Sequence, residues 1–382
     1  MKLTILASAL AGGLAMLPAS GAVAEQFTLA TFLGPNHVIT QYQSTEWAEN
    51  VKEATGGSVS FNLITGGALM PVAGTLDGLA AGIAQVSLMA TTYTPSNLPI
   101  MNTVTDLANV TPEPYVLAFA FSDFNFNEKV ARDEWKKAGL VFGASHATPT
   151  YHLMCRGNVS TLEDLKGLKV RTGGSSWARG VESLGMVAVS IPINEAYTAM
   201  ERGALDCMDA DLSHLTSGAS IGELVGSIVT VDMAPYFNTA GIIYNRDFWG
   251  ARTDAERHAM MDQAVVSIVR TTQNFDLRAQ KALEWAKERE IRITPPSEDL
   301  QAAYDKWARE DEKASVETVR KELGVENAGE IREIFEGYVN GGVKACHCGG
   351  AKVGQFGFSR LGACGSRIAG AFQGALAVRP IL

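Results

Sequence analysis

The stretch LKVRTGGSSWARG, residues 168–180, decides how this chain folds. Leu168 and Val170 bracket a lysine as they would on a β-strand, and Arg171 arrives where that strand should end. Two glycines, two serines and a tryptophan follow before helical spacing resumes. A strand, a glycine turn and a helix start form the repeating unit of an α/β sheet. An arginine at such a strand end, beside a new helix N-terminus, is a candidate anion site. It is equally an ordinary solvated charge on a loop, and the thirteen residues alone do not separate the two.

The same rhythm extends outward in both directions. Upstream, FTLATF reads as a strand broken by Gly34-Pro35-Asn36-His37, and Tyr42 to Lys52 reads as an amphipathic helix ending at Thr55-Gly56-Gly57. VSFNLI, a helix carrying Leu76, Leu79 and Ile83, and then QVSLMA continue the alternation. Leu140–Ser145 and Tyr151–Arg156 are strand-like, and LEDLKG makes a short helix before LKVRT. After it come helix Ser176–Leu184, strand MVAVSIP, a helix expected to be capped by Asn194, and strand LDCMDA. Two such sets in one chain predict two parallel-sheet α/β lobes around a cleft, where ligands gather at the carboxyl ends of strands. Past Phe248 the pattern turns helical, with Thr253-Asp254 capping a run to about Arg289 that is long enough to bridge two lobes. Pro295-Pro296 ends it, and further helices run to about Tyr338.

Composition narrows the classes. The 382 residues are 46% hydrophobic and 19% charged, which is globular, and the net charge of −9 speaks against nucleic-acid binding. Met1-Lys2, an apolar run from Leu3 to about Leu17 and Ala22-Val23-Ala24 read as a secretory signal peptide over 1–24, predicting export to the periplasm. Five cysteines occur; Cys155 and Cys207 both fall in expected strands, and a disulfide or two buried thiols both fit. Residues 341–382 hold no Asp or Glu and three cysteines, and we expect a disordered tail there. Its Cys346-His347-Cys348 lacks the C-x2-C spacing of structural zinc sites, so no metal is assigned. No G-x-S-x-G elbow occurs around a plausible serine, the TGGSS turn lacks the G-K-[ST] ending of a P-loop, and His152 lies three residues from Cys155 on one strand, so no enzyme is expected.

Taken in order, five segments resemble the periplasmic solute-binding proteins of TRAP transporters, the C4-dicarboxylate-binding type. They are Thr55–Gly57, GGALMPVAGTLDGLAAGIAQVSL, STLEDLKGLKVRT, LGMVAVSIPINEAYTAMERGALD and the long later helix, spread between Phe27 and Tyr338. The resemblance implies a two-lobed periplasmic binding protein fold: two α/β domains around a ligand cleft, with crossing strands and a long bridging helix. Residues 25–150 would form one lobe with segments returning from the C-terminal half, 151–250 the other, and 251–340 the bridging and packing helices. It implies capture of a small carboxylate and delivery to permease membrane subunits, by a monomer without cofactor. Service to a membrane sensor is the alternative.

The resemblance places Arg171 on the ligand carboxylate, where a guanidinium fork matches two oxygens, with Arg156 assisting. Looser matching adds Asn36, His37, Met89 to Tyr93, Tyr151, Trp177, Asp209, and Phe237 and Asn238. Many relatives carry Glu-Asn where this chain has Asp209-Ala210. The lost amide points away from a succinate-like dicarboxylate and toward a hydroxylated, oxo-bearing or aromatic monocarboxylate. Some relatives hold the ligand through a metal ion.

Overall fold

The computed structural model describes residues 25–106, 108–237 and 239–347; for residues 108, 239, 240 and 345–347 it describes the backbone only. The proposed signal segment and the tail from 348 on lie outside the described residues. Two sheets organise the chain. The first contains β1 (Gln26–Ala30), β2 (Ser60–Ile64), β3 (Val86–Ala90), β4 (Leu140–His146) and β10 (Thr239–Asn245), in the order β2-β1-β3-β10-β4. The second contains β5 (His152–Cys155), β6 (Lys169–Thr172), β7 (Val187–Ser190), β8 (Cys207–Ala210), β9 (Ser227–Val229) and β11 (Arg292–Thr294). Its order is β11-β9-β5-β8-β6-β7.

The sheets are mixed rather than wholly parallel. β10 runs antiparallel between β3 and β4, and β5 runs antiparallel to β8 and β9. The reason is chain crossing. After β4 the chain passes into the second sheet through residues 147–151, and after β9 it returns through 230–238 to insert β10. The two crossing segments pair with each other: Thr148 N–H donates to Tyr236 O at 2.8 Å, and Tyr151 N–H to Ala234 O at 3.0 Å. The first sheet therefore takes β10 from the chain that follows β9, and the second sheet takes β11 from the chain that follows the long helix.

Strand register also settles the cysteines. Cys155 lies directly opposite Cys207 in the antiparallel β5–β8 pair, and the two form a disulfide.

The long helix, Asp254–Glu288, spans about 50 Å at 1.5 Å per residue. Thr253 and Glu256 open it with a reciprocal capping box. Met260, Ala264, Val265, Ile268 and Phe275 form its buried face. It packs on β4 and the first helix of one lobe and on the turn Leu212–Leu215 of the other. Asn194 does not cap its helix; it sits inside a 3-10 turn, Ile193–Glu195, that leads into Ala196–Glu201. The last helix runs from Ala328 through His347, so the first residues of the expected tail continue it. Among the described residues no helix is long and apolar enough to cross a membrane.

Candidate functional site

Arg171 occupies the third position of β6, between a buried Val170 and a buried Thr172. Only 2% of its surface is exposed. Its Nε donates to Ile191 O at 3.2 Å, its Nη1 to Asp209 O at 3.5 Å, and its Nη2 to Tyr93 Oη at 2.9 Å. All three acceptors are neutral, and no carboxylate oxygen among the described residues pairs with the guanidinium. Burial works against its charge, but the neighbouring Tyr93, Tyr151 and Asp209 outweigh it and hold the group more firmly protonated than usual. The glycines that follow are there for close approach. Gly174 is in extended backbone with φ 173°, and a Cβ on Gly173 would stand 3.3 Å from the Tyr236 ring.

Arg171 lines a cavity of about 40 Å³ between the sheets. The first lobe supplies Phe32 and His37 after β1, Tyr93 after β3 and His146 at the end of β4. The crossing segments supply Thr148, Tyr151 and Tyr236, and the second lobe adds Ile193 and His214 beside Arg171. Phe275 of the long helix closes one side. Tyr151 and Tyr236 stack with centroids 5.7 Å apart, and Tyr236 Oη shares a 2.8 Å hydrogen bond with Thr92 Oγ1. The wall is thus mainly aromatic, with the charge of Arg171 at one point of it.

Three histidines line the cavity, all buried, and burial depresses the basicity of each. His146 and His214 are both pushed down to about 3, so both are neutral imidazoles at ordinary pH. The rings of His37 and His214 lie 5.4 Å apart, and His146 stacks on Phe275 at 5.8 Å.

The residues expected at the site divide sharply. Arg171, Tyr93, Tyr151 and His37 meet at the cavity. Trp177 is buried behind it, packed on Tyr236 at 5.1 Å and Tyr151 at 5.9 Å. Asp209 contributes its carbonyl oxygen to Arg171, not its carboxylate. In β8 the neighbour Met208 is in register with Arg171, so Asp209 projects to the opposite sheet face. That carboxyl is fully buried without a hydrogen-bond partner, and burial raises it to about 7 against the opposing pull of Arg171.

Arg156 does not reach the site. Because β5 is antiparallel to β8, its C-terminal end lies beside the start of β8, whereas Tyr151 at its other end faces the cleft; Arg156 is exposed there near Gly203. Phe237 is also elsewhere: it stacks on Phe335 at 5.8 Å inside the first lobe. Asn36 is exposed and gives only its carbonyl, to Arg278. Asn238 lies outside the described residues. The cavity members not expected from sequence as site residues are Phe32, Leu33, Ile39, His146, Thr148, Ile193, His214, Tyr236 and Phe275. Tyr236 is one residue from an expected position; the two histidines carried no local motif.

Comparison with known proteins agrees with this architecture. A solute-binding protein of Albidiferax ferrireducens is 26% identical over 194 residues, 50% of this chain and 55% of the relative, so the match spans about half the length of that relative. A TRAP periplasmic solute-binding protein from Bordetella bronchiseptica, solved with (R)- and (S)-mandelate, superposes with a TM-score of 0.71 at 18% identity, covering 83% of this chain and 99% of that one. A TRAP solute-binding protein from Rhodoferax ferrireducens, in complex with copurified benzoate, gives 0.73 at 17% identity over 84% and 99%. At these identities the structural likeness is one of fold. The family model DctP, "Bacterial extracellular solute-binding protein, family 7", matches residues 29–316, and the chain belongs to that family.

Proposed function

We propose that this chain is the periplasmic receptor of a TRAP-type transporter, capturing a small monocarboxylate on Arg171 and presenting it to membrane subunits. One observation carries the reading: a buried guanidinium, in an interlobe cavity, whose hydrogen-bond partners are all neutral. A buried charge without a hydrogen-bonded counter-ion is costly; Asp209 attracts Arg171 through space but offers it only a backbone carbonyl, which leaves the ion pair for an external carboxylate to complete. The mandelate and benzoate held by two proteins of the same fold belong to the class of acid that an aromatic wall suits.

Capture requires opening. About 40 Å³ is far below the roughly 300 Å³ of an ordinary ligand pocket, so the lobes have to part to admit an acid. The Tyr93 hydroxyl, from the first lobe, accepts from Arg171 of the second. A carboxylate oxygen would replace that phenol oxygen and gain a second parallel bond, giving a contact stronger in the ligand-bound state. The crossing segments and the long helix supply the hinge. No step needs a cofactor or a catalytic group.

Calorimetric titration of the full chain with aromatic and hydroxylated monocarboxylates tests the reading. We expect binding of at least one, reduced at least thirtyfold in Arg171→Ala, since loss of one partner of a desolvated ion pair costs about 2–5 kcal/mol. An unchanged affinity in the variant would refute the assignment.

A further inference from the structure

We infer that His146 is an acceptor-only specificity group, and that the acid this cavity takes carries a hydroxyl donor in addition to its carboxylate. The inference rests on Arg171 as the carboxylate clamp and adds a second group that lines the same cavity.

The wiring begins at Gln43, fully buried in the π-helical turn Thr40–Glu46 that opens the first helix. Its Nε2 donates to Ser145 O at 2.9 Å. A carbonyl cannot donate, so the amide orientation is settled and Oε1 is the atom facing His146 Nδ1 at 2.6 Å. An amide oxygen cannot donate either, so Nδ1 carries the imidazole proton. The other nitrogen, Nε2, is then a bare lone pair. It is buried with no hydrogen-bond partner, on a ring that lines the cavity and is 0% exposed. Burial also keeps the ring neutral, so the lone pair persists at ordinary pH.

The other two histidines of the cavity are wired the opposite way. His37 Nδ1 accepts from Ile39 N–H at 3.2 Å, and His214 Nδ1 accepts from Ala219 N–H at 3.2 Å. Both therefore carry their proton on Nε2. The backbone makes room for the exception: a Cβ at Gly241, in β10, would overlap the Gln43 amide. A glycine and a buried glutamine together fix the tautomer of one histidine.

A fixed, desolvated lone pair discriminates by sign. A hydroxyl donates to it and satisfies a buried acceptor that the protein leaves open. A hydrogen in the same place leaves that acceptor unmatched, while an oxo group or a second carboxylate sets oxygen lone pairs against it. The site thus separates hydroxy acids from their deoxy and oxo counterparts.

The test is calorimetry on the full chain with two matched sets: mandelate, phenylacetate and phenylglyoxylate; and 3-hydroxybenzoate with benzoate. In at least one set the hydroxylated acid should bind about tenfold tighter than its deoxy partner, with phenylglyoxylate weaker than mandelate. In His146→Phe and in Gln43→Leu that preference should fall to within about twofold. Should neither variant fold, ¹⁵N-histidine spectra of the wild type decide: saturating hydroxy acid should shift His146 Nε2 toward the hydrogen-bonded position. Binding that needs Arg171 but ignores the hydroxyl, or an unmoved Nε2 resonance, overturns this inference and leaves the carboxylate reading standing. Binding of none of the five acids overturns both.

Discussion

Two arginines eight residues apart teach different lessons. Arg171 ends a strand in the cavity and meets only neutral acceptors. Arg179, one turn into the next helix, Ser175–Ser183, grips Asp311 with Nε at 2.7 Å and Nη2 at 2.9 Å, and lies 3.6 Å from Asp106. Asp106 in turn accepts from the Ser175 hydroxyl at the start of that helix. Arg179 donates to a carboxylate with a second one nearby; Arg171 has an acceptor for each guanidinium nitrogen, but none of them is a carboxylate. That contrast, more than the presence of an arginine, separates a structural ion pair from a binding site.

The largest effect expected from the contrast is on stability. Arg179→Met strands Asp311, whose side chain is 6% exposed, and Asp106, at 5%, without their cation. We expect a loss of about 3 kcal/mol, the scale seen when one partner of a buried pair is removed. Arg171→Met removes a guanidinium that hydrogen-bonds no carboxylate, and Asp209, which feels it only through space, can take up a proton instead; the melting temperature should fall far less than in Arg179→Met. Thermal unfolding of the two variants side by side checks this; equal losses would erase the distinction.

A smaller effect separates packing from wiring around His146. Gly241→Ala forces a methyl into the Gln43 amide, an overpacking expected to cost about 1–3 kcal/mol. If Gln43 moves, His146 loses its partner for Nδ1 and the tautomer is free. Unfolding melts measure the first consequence and the hydroxyl preference measures the second. A destabilised variant with intact preference would show that Gly241 serves packing alone.

Legibility followed the range of the forces involved. The strand end at Arg171 was readable because strand, glycine turn and helix start adjoin in sequence, and the cap at Thr253 was readable for the same reason. Arg156 was misplaced because strand direction is a property of the partner strand, and β5 proved antiparallel. Phe237 was misplaced by one residue. In an extended crossing segment neighbours face opposite ways, so Tyr236 meets Tyr151 while Phe237 enters the lobe core against Phe335. His146 was invisible as a site residue because its role depends on Gln43, 103 residues earlier. No local spacing encodes that pair.

The smallest effect is one of pH, and it sharpens the contrast from the side of a neutral group. His146 is depressed to about 3 by burial and, secondarily, by His37, whereas an unfolded histidine titrates near 6.5. A depressed histidine pKa means that the unfolded state takes up the proton first. The stability associated with the neutral ring is therefore full above about pH 6.5 and lost as pH falls toward 3. At pH 5.5 the loss from this one residue should be about 1.4 kcal/mol relative to pH 8. His146→Phe cannot take up that proton, so its stability should fall less between the two pH values by about that amount. The hydroxyl preference of the wild type should hold across the same interval, because the native ring stays neutral. Denaturant melts and calorimetry at pH 8 and 5.5 check both halves. A preference that vanished near pH 6.5 would mean that His146 is solvated like an ordinary surface histidine, and that its ring is not the closed, neutral acceptor that the burial of the cavity wall implies.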